Sequence, residues 1–261
     1  IFAIIFIVGM FVVQQQIKFI QTTDKGFETE QVINFNGIGL YFNSSINGNF
    51  EDFKKRLIND PSIVSASSPT NVPGFGERPI KMEFLSNSTK YNLEHVGIDP
   101  QYFETLNIKK IAGDDHISLS QILKDSLSNY AVINETAAKS LGLTNPVGSK
   151  ISGCDVNFEI IAVVRDSKAY GFEEKVAPTV YSYKNECAAG RMKITLMVRT
   201  IPGMIDQAIK VVETEWKKNE YSEDLPLDHK FMDQQYAALH AKQFEMQLAF
   251  NIFSIISVII A

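Results

Sequence analysis

The sequence predicts an α+β domain of two lobes, held between the ends of two transmembrane helices. Both chain ends are apolar, and they bracket a polar middle of roughly two hundred residues, enough for one large domain or two small ones. Strand-helix-strand patterns follow the first apolar end and precede the second, and short strands fill the stretch between them. These observations predict a membrane-proximal lobe of two strand-helix-strand units with a strand-rich lobe inserted between them.

The N-terminal segment, residues 1–13, carries no charged side chain and is followed by three glutamines and Lys18. As a helix it spans roughly 20 Å, against a hydrocarbon core of about 30 Å. A cleaved signal peptide and a buried core helix are the alternatives. The segment has no basic leader, and a second apolar segment closes the chain. We therefore interpret it as the outer part of a first membrane helix.

The C-terminal segment, residues 234–261, contains neither Gly nor Pro, and its last charged side chains are Lys242 and Glu245. It is predicted as one continuous helix that leaves a water-soluble domain and enters a bilayer, so that both roots of the domain lie on the same face of the membrane. Six side chains of the two segments are predicted to form a stalk that couples the domain to the membrane helices: Phe11, Phe19, Tyr236, Leu239, Met246 and Phe250.

The first strand-helix-strand unit follows a turn at Gly26, which is predicted to cap the preceding helix. Residues 32–40 alternate as a half-buried strand, residues 49–60 form an amphipathic helix capped by Asn49, and residues 63–68 form a second strand. The loop that follows is rich in Pro and Gly.

The inserted lobe is predicted from short strands bounded by turn residues. A helical turn is expected at 100–106, and a short helix at 134–142 begins at the cap residue Asn134 and ends at Gly142. The strands are expected at 80–85, 91–97, 108–112, 130–133, 150–151, 158–164 and 179–183.

The last third repeats the opening pattern, with a strand at 193–199, a helix at 202–219 and a strand at 227–231. The chain is therefore predicted to divide into five segments: membrane helix end and stalk at 1–19, first part of the membrane-proximal lobe at 20–79, inserted lobe at 80–190, second part of the membrane-proximal lobe at 191–233, and stalk with the start of the second membrane helix at 234–261.

Composition and motifs exclude several function classes. A formal net charge of -5 argues against binding to nucleic acid and against a polybasic grip on anionic lipid. The sequence has no phosphate-binding loop, nucleophile elbow or zinc-protease motif, so we predict no enzyme activity, no cofactor and no metal site. The run Asp114-Asp115-His116 is interpreted as a solvated turn, and His95, His229 and His240 as ordinary surface or interface residues.

Cys154 and Cys187 are the candidate disulfide pair. Each lies in a predicted hairpin-like connection of the inserted lobe, and an oxidising compartment would favour a bridge. In the chain-entropy model such a bridge contributes roughly 3 to 4 kcal/mol to stability. Two free thiols are the alternative.

The order of several segments resembles the periplasmic core domain of FtsX-like, MacB-type permeases of ABC transporters. The most specific stretch is VINETAAKSLGLTNPVG at 132–148, followed by IIAVVRD at 160–166 and APTV at 177–180. The flanking matches are TDKGFETEQVI at 23–33, DPSIVSASS at 60–68, VGIDPQYFETL at 96–106 with Ala112-Gly113, and FMDQQY at 231–236. Asp114-Asp115 departs from the family, which often has a basic residue there.

The resemblance implies a non-catalytic domain in the periplasm, between the first two of four helices in the bacterial inner membrane. It implies a porter lobe near the membrane and an inserted sabre lobe. It further implies a second permease copy, a cytoplasmic ATP-binding subunit or domain, and room for a periplasmic partner protein. In that family, ATP-driven motion of membrane helices is thought to pass through helical stalks to the domain. Substrate export, lipoprotein extraction and control of cell-wall hydrolases all remain open.

A ligand-sensing domain of a membrane receptor is the competing hypothesis, because such domains also lie between two membrane spans. A sensor requires a concave pocket with convergent polar groups, and the sequence shows no such cluster. A tethered enzyme is the weakest class, since the sequence shows no catalytic constellation.

Overall fold

The computed structural model describes residues 2–38, 50–75, 78–113, 129–183, 195–218 and 227–260. In chain order, its elements are α1 Phe2–Thr22, β1 Val32–Asn36, α2 Phe50–Ile58, β2 Ile63–Ser67, β3 Ile80–Ser86, β4 Thr89–Gly97, α3 Tyr102–Thr105, β5 Lys110–Gly113, β6 Tyr130–Asn134, α4 Glu135–Ser140, β7 Lys150–Gly153, β8 Val156–Val164, β9 Thr179–Ser182, β10 Leu196–Thr200, α5 Ile205–Trp216, β11 Asp228–Phe231, α6 Met232–Ala238 and α7 Ala241–Ile260. The α+β prediction is confirmed.

The first sheet has four antiparallel strands in the order β11-β1-β10-β2. The connections β1-α2-β2 and β10-α5-β11 each leave room for a strand of the other unit, which is the double split βαβ arrangement of ferredoxin-like sheets. Helices α2 and α5 cover one face, because their apolar stripes are buried there against alternate residues of β1 and β10. That core includes Ile33, Phe35, Phe53, Leu57, Leu196, Val198, Val212 and Trp216.

The second sheet has seven strands in the order β5-β8-β6-β9-β4-β3-β7, and β7 also pairs with β8. The pairing of β7 with β8 closes six strands, all except β5, into a ring around an apolar interior. Strand β5 pairs with the C-terminal part of β8, residues 162–164. The interior is crowded: the rings of Phe84 and Phe158 have centroids 6.5 Å apart. A Cβ on Gly153 would lie 2.5 Å from Cδ1 of Phe84, so only glycine fits that strand position.

A third apolar core joins the two sheets. It contains Val32 and Met197 from the first sheet, Ile161 and Tyr181 from the second, and Tyr102 of the short helix α3 between them. A buried ion pair reinforces the contact: Nζ of Lys54 on α2 lies 2.5 Å from Oδ2 of Asp99, which follows β4. Ser67 Oγ and the Ser68 amide donate to the same carboxylate at 2.6 and 2.7 Å. The two sheets are therefore joined through a core of their own and a buried ion pair.

Helices α1 and α7, near the two ends of the chain, pack side by side. Gly9 of α1 lies against the ring of Phe250 of α7, and the chain enters the domain at Thr22 and leaves it at Ala241. Among the described residues, neither of these helices nor any other is long and apolar enough to cross a membrane.

The prediction of one continuous helix over residues 234–261 is wrong. The chain forms α6 and α7 with a break at Leu239 and His240. At the break the Leu239 amide donates to the Tyr236 carbonyl at 3.1 Å and the His240 amide to the Ala237 carbonyl at 3.0 Å, which is the tighter three-residue spacing of a helix end. The sequence lacks Gly and Pro there, but the burial of His240 against a neighbouring loop supplies a tertiary cause for the turn.

Candidate functional site at the foot of the terminal helices

The loop between β8 and β9, residues 165–178, meets the segment that follows α1. Arg165 Nη1 lies 2.6 Å from Oδ2 of Asp24, and the Lys168 amide donates to the Lys25 carbonyl at 2.7 Å. Asp24 also accepts a hydrogen bond from the Gly26 amide at 2.8 Å. That backbone hydrogen bond, and then the Arg165 guanidinium, hold the pKa of Asp24 below its usual range, so the carboxylate stays ionised in this contact.

Asp166 fastens the same loop to the second sheet. Its carboxylate accepts from the amide of Thr136 at 3.0 Å and from the Thr136 hydroxyl at 2.7 Å. Its own amide donates to Glu135 Oε2 at 3.0 Å, so both ends of the residue are held by α4. A Cβ on Gly26 would lie 2.1 Å from the Asp166 carbonyl oxygen, and Gly26 has a φ of 81°. Gly26, predicted as a helix cap, therefore lies beyond α1 and allows the close approach of two backbones.

Helix α6 reaches the loop through Tyr236. Its hydroxyl donates to the Lys168 carbonyl at 2.8 Å, and its ring packs edge-on against Phe27 with centroids 5.5 Å apart. Burial raises the pKa of Tyr236 to about 12, so the phenol remains a donor at physiological pH. From the other side, Phe19 of α1 packs edge-on against Phe172 of the loop at 5.9 Å. Helices α1 and α6 therefore both touch this loop.

Asn134 holds the far end of the loop. Its Nδ2 donates to the Ala177 carbonyl at 2.8 Å, while Oδ1 accepts from the amides of Ala137 and Thr179 at 2.9 Å each. The contact with Ala137 is the helix cap that the sequence predicted for Asn134. The same side chain therefore starts α4, ends the loop and begins β9.

An ion cluster lines the inner side of the loop. Arg78 Nε lies 3.1 Å from Oε1 of Glu94 and also pairs with Glu174, and its guanidinium covers the Tyr170 ring at 5.2 Å. Burial raises the pKa of the Glu94 carboxyl, and Arg78 opposes that rise. The adjoining cavity has a volume of about 40 Å³. That is room for a few waters, whereas pockets for organic ligands measure about 300 to 1,000 Å³.

The sequence model of the MacB-like periplasmic core domain matches residues 1–210. The chain belongs to this family. The match covers α1, the whole of the second sheet and all but one strand of the first. No curated protein matches the chain.

Two solved structures share the MacB-like fold. The periplasmic region of MacB from Actinobacillus actinomycetemcomitans aligns with a TM-score of 0.56 and 16% identity, over 85% of this chain and 97% of that one. The extracellular domain of the noncanonic ABC-type transporter YknZ from Gram-positive bacteria aligns with a TM-score of 0.50 and 12% identity, over 76% of this chain and 97% of that one. The similarity is therefore one of fold, with most side chains different.

The six stalk residues predicted from sequence lie in different environments of the MacB-like domain. Tyr236 is buried in the junction, and Phe250 is half-buried against Gly9. The other four are exposed on the helices or at the break, although Phe19 also contacts Phe172: Phe11, Phe19, Leu239 and Met246. Their role as a stalk stays a prediction.

Sequence reasoning missed the loop side of the junction. The sequence predicts no role for the segment between the predicted strands at 158–164 and 179–183, and the partners of Tyr236 and Phe19 there are Lys168 and Phe172. The only sequence signal was the ion-forming pair Arg165-Asp166 directly after a buried strand. The partners of this pair, Asp24 and Thr136, lie 30 or more residues away in the sequence, so no local spacing pattern reveals these contacts.

The other predicted sites concern a metal ion and the two cysteines. No group of residues suited to a metal ion occurs within the described part of the chain, and Asp114, Asp115 and His116 lie outside it. Cys154 is half-buried, and its Sγ lies 3.8 Å from Sδ of Met82. Cys187 lies outside the described residues, so the pairing of the two cysteines stays a prediction.

Proposed function

We propose that this MacB-like domain transmits ATP-driven motion of membrane helices to the extracytoplasmic side of an ABC transporter permease. One observation carries the proposal: α1 and α6, together with His240 immediately before α7, contact the β8–β9 loop, and that loop is fastened to the second sheet. The family and the fold support the broader role of an extracytoplasmic permease domain.

Transmission requires that a displacement of the helices reach the second sheet without being absorbed on the way. On the helix side, the loop is held by the Tyr236 hydroxyl and the Arg165–Asp24 ion pair. On the sheet side, it is held by Asp166 and Asn134. Each charge-assisted bond is stronger than a neutral one, and the loop has such a bond on both sides.

The break at Leu239 and His240 changes the proposed route. An unbroken helix would carry motion of α7 directly into α6. Here the chain turns between α6 and α7, at the point where His240 packs against Phe172 of the loop. Motion of α7 therefore reaches the second sheet by way of the loop, and motion of α1 arrives at the same loop through Phe19. The loop would therefore receive motion from both α1 and α7.

The proposed setting is the inner membrane of a bacterium, with this domain in the periplasm and no catalytic role of its own. The proposed partners are a cytoplasmic ATP-binding subunit or domain, a second permease copy and a periplasmic partner protein. The cavity beside Arg78 has no room for an organic ligand, so this site gives no support to a ligand sensor. The transported substrate stays open.

The test uses the complete permease with its ATPase in nanodiscs, carrying non-cysteine spin labels at the exposed residues Gln15 on α1 and Lys90 on the β3–β4 hairpin. We expect the distance between the labels to change when ATP is hydrolysed. In Asp166→Ala, which removes two hydrogen bonds to α4, ATP hydrolysis should continue and the distance change should shrink.

The matched control is Lys139→Ala on the exposed side of the same helix, which should behave as the unchanged permease. A distance that ignores nucleotide in the unchanged permease but shifts on adding a small molecule would replace transmission with sensing. If the distance between the labels changes in Asp166→Ala as much as in the unchanged permease, the β8–β9 loop does not transmit the motion.

A further inference from the structure

His240 occupies the break between α6 and α7 and is almost fully buried, with 3% of its surface exposed. Its ring lies between two aromatic neighbours, with centroid distances of 5.8 Å to Phe172 and 5.6 Å to Tyr236. The loop backbone also presses on it, because a Cβ at Gly171 would lie 3.2 Å from Cε1 of His240. Phe172, Tyr236 and the backbone at Gly171 therefore hold the imidazole in the turn.

Both ring nitrogens of His240 are buried without a hydrogen-bond partner among the residues that the structure describes. A buried polar group without a partner costs about 1 to 3 kcal/mol. Packing of the ring in the turn, rather than hydrogen bonding, therefore keeps it there. Such a position tolerates a neutral imidazole and strongly disfavours a charged one.

Three groups with titratable side chains face His240 from the elements packed around it. Tyr236 on α6 is protonated and its hydroxyl is engaged by the Lys168 carbonyl. Glu173 on the loop favours a charged imidazole, whereas Lys25, which follows α1 and lies over the Tyr236 ring, disfavours it. Burial is the largest influence, and it lowers the pKa of His240.

We propose that His240 is a proton-operated latch: taking up a proton drives the imidazole out of its pocket and opens the turn between α6 and α7. Because the folded state resists protonation, the closed turn is most stable above the ordinary histidine pKa of about 6.5 and loses stability as the pH falls below it. Acidification on the extracytoplasmic side would therefore loosen the turn before α7 from the β8–β9 loop. The significance for transport rests on the proposed function, but the opening itself does not.

Hydrogen exchange on the 261-residue chain in nanodiscs, without nucleotide, tests the latch. The readout is the protection of the Leu239 and His240 amides between pH 7.5 and 5.0, corrected for the intrinsic exchange rate. We expect protection to fall several-fold on acidification, by no more than about tenfold per pH unit because one proton is linked. In His240→Phe, which keeps an aromatic ring but cannot titrate, protection at residue 239 should not depend on pH.

The matched control is His229→Phe, at a half-buried histidine on β11, which should retain the pH-dependent loss. An equal loss of protection in His240→Phe would overturn the latch. If His240→Phe is unprotected at every pH, the NMR titration of His240 in the unchanged chain decides: proton uptake that leaves the turn protected overturns it. The transmission experiment is independent, so either proposal can fail alone.

Discussion

In the paired terminal helices, Gly9 of α1 faces the ring of Phe250 of α7 so closely that a Cβ on Gly9 would lie 2.8 Å from Cε1 of Phe250. Carbon atoms in good contact are about 3.5 to 4.0 Å apart. The missing side chain at Gly9 therefore sets the distance between the two helices, as small residues do where membrane helices approach one another.

Replacing Gly9 with leucine should push the two helices apart and lower the free energy of unfolding by about 1 to 3 kcal/mol, the usual cost of overpacking. Phe250→Ala in the same chain should recover part of the loss, because it removes the ring that leucine would meet. Denaturant unfolding in nanodiscs measures both. Val8→Leu adds bulk to the exposed side of α1 and should change little; a similar loss there would refute the contact.

The buried Lys54–Asp99 pair predicts strong and specific destabilisation. Lys54→Met removes the ammonium group and leaves the buried Asp99 carboxylate to its hydrogen bonds from Ser67 and Ser68, and the free energy of unfolding should fall by about 3 to 5 kcal/mol. Urea denaturation is the measurement. The adjacent Lys55 forms an exposed pair with Asp52 at 3.2 Å, so Lys55→Met should cost no more than about 1 kcal/mol.

His95 predicts that stability falls in acid. Burial lowers the pKa of His95 to about 4, below the value of about 6.5 in an unfolded chain, so the unfolded state takes up a proton first as the pH drops. Stability should decline between pH 6.5 and pH 4, by roughly 3 kcal/mol from this residue alone.

The measurement is the free energy of unfolding against pH in the unchanged chain and in His95→Gln. Glutamine cannot titrate, and it can keep a polar contact like that of His95 Nε2 with Ser182 Oγ, which is 2.8 Å long. The decline between pH 6.5 and pH 4 should shrink in the variant. An equally steep decline would mean that His95 is protonated in the folded state without cost.

The proposed bridge between Cys154 and Cys187 predicts that neither thiol reacts with an alkylating reagent until a reductant is added. Intact mass after alkylation is the readout. Reduction should lower the free energy of unfolding by roughly 3 to 4 kcal/mol in the chain-entropy model. The double variant Cys154→Ser, Cys187→Ser should be insensitive to reductant, and alkylation of two thiols in the untreated chain would exclude the bridge.

Most elements of the fold were predictable because each has a local cause. The apolar stripe of α5 recurs with the 3.6-residue period of a helix, β8 contains a continuous apolar run, and Asn134 starts α4 as its side-chain chemistry predicts. The site was less accessible. The contact between Arg165 and Asp24 depends on the order of strands in a closed sheet, which no spacing pattern records.

The break before α7 is a second feature that could not be predicted from the sequence. Residues 234–261 have the composition of an uninterrupted helix, and the sequence gives no local reason for a turn. The turn arises where His240 packs against Phe172, a residue from a distant loop. His240 itself was predicted as an ordinary surface or interface residue because nothing beside it in sequence marks a pocket.

The strand order of the first sheet also constrains how the chain is made. Val32 pairs with Arg199 and Ile33 with Phe231, so β1 emerges long before either of its neighbours. The strands of the second sheet, in contrast, all lie between β2 and β10 and can pair before the first sheet is complete. A nascent chain crossing a membrane would therefore expose β1 as an unpaired strand throughout that interval, which is when edge-to-edge aggregation is a danger and a holding chaperone is of most use.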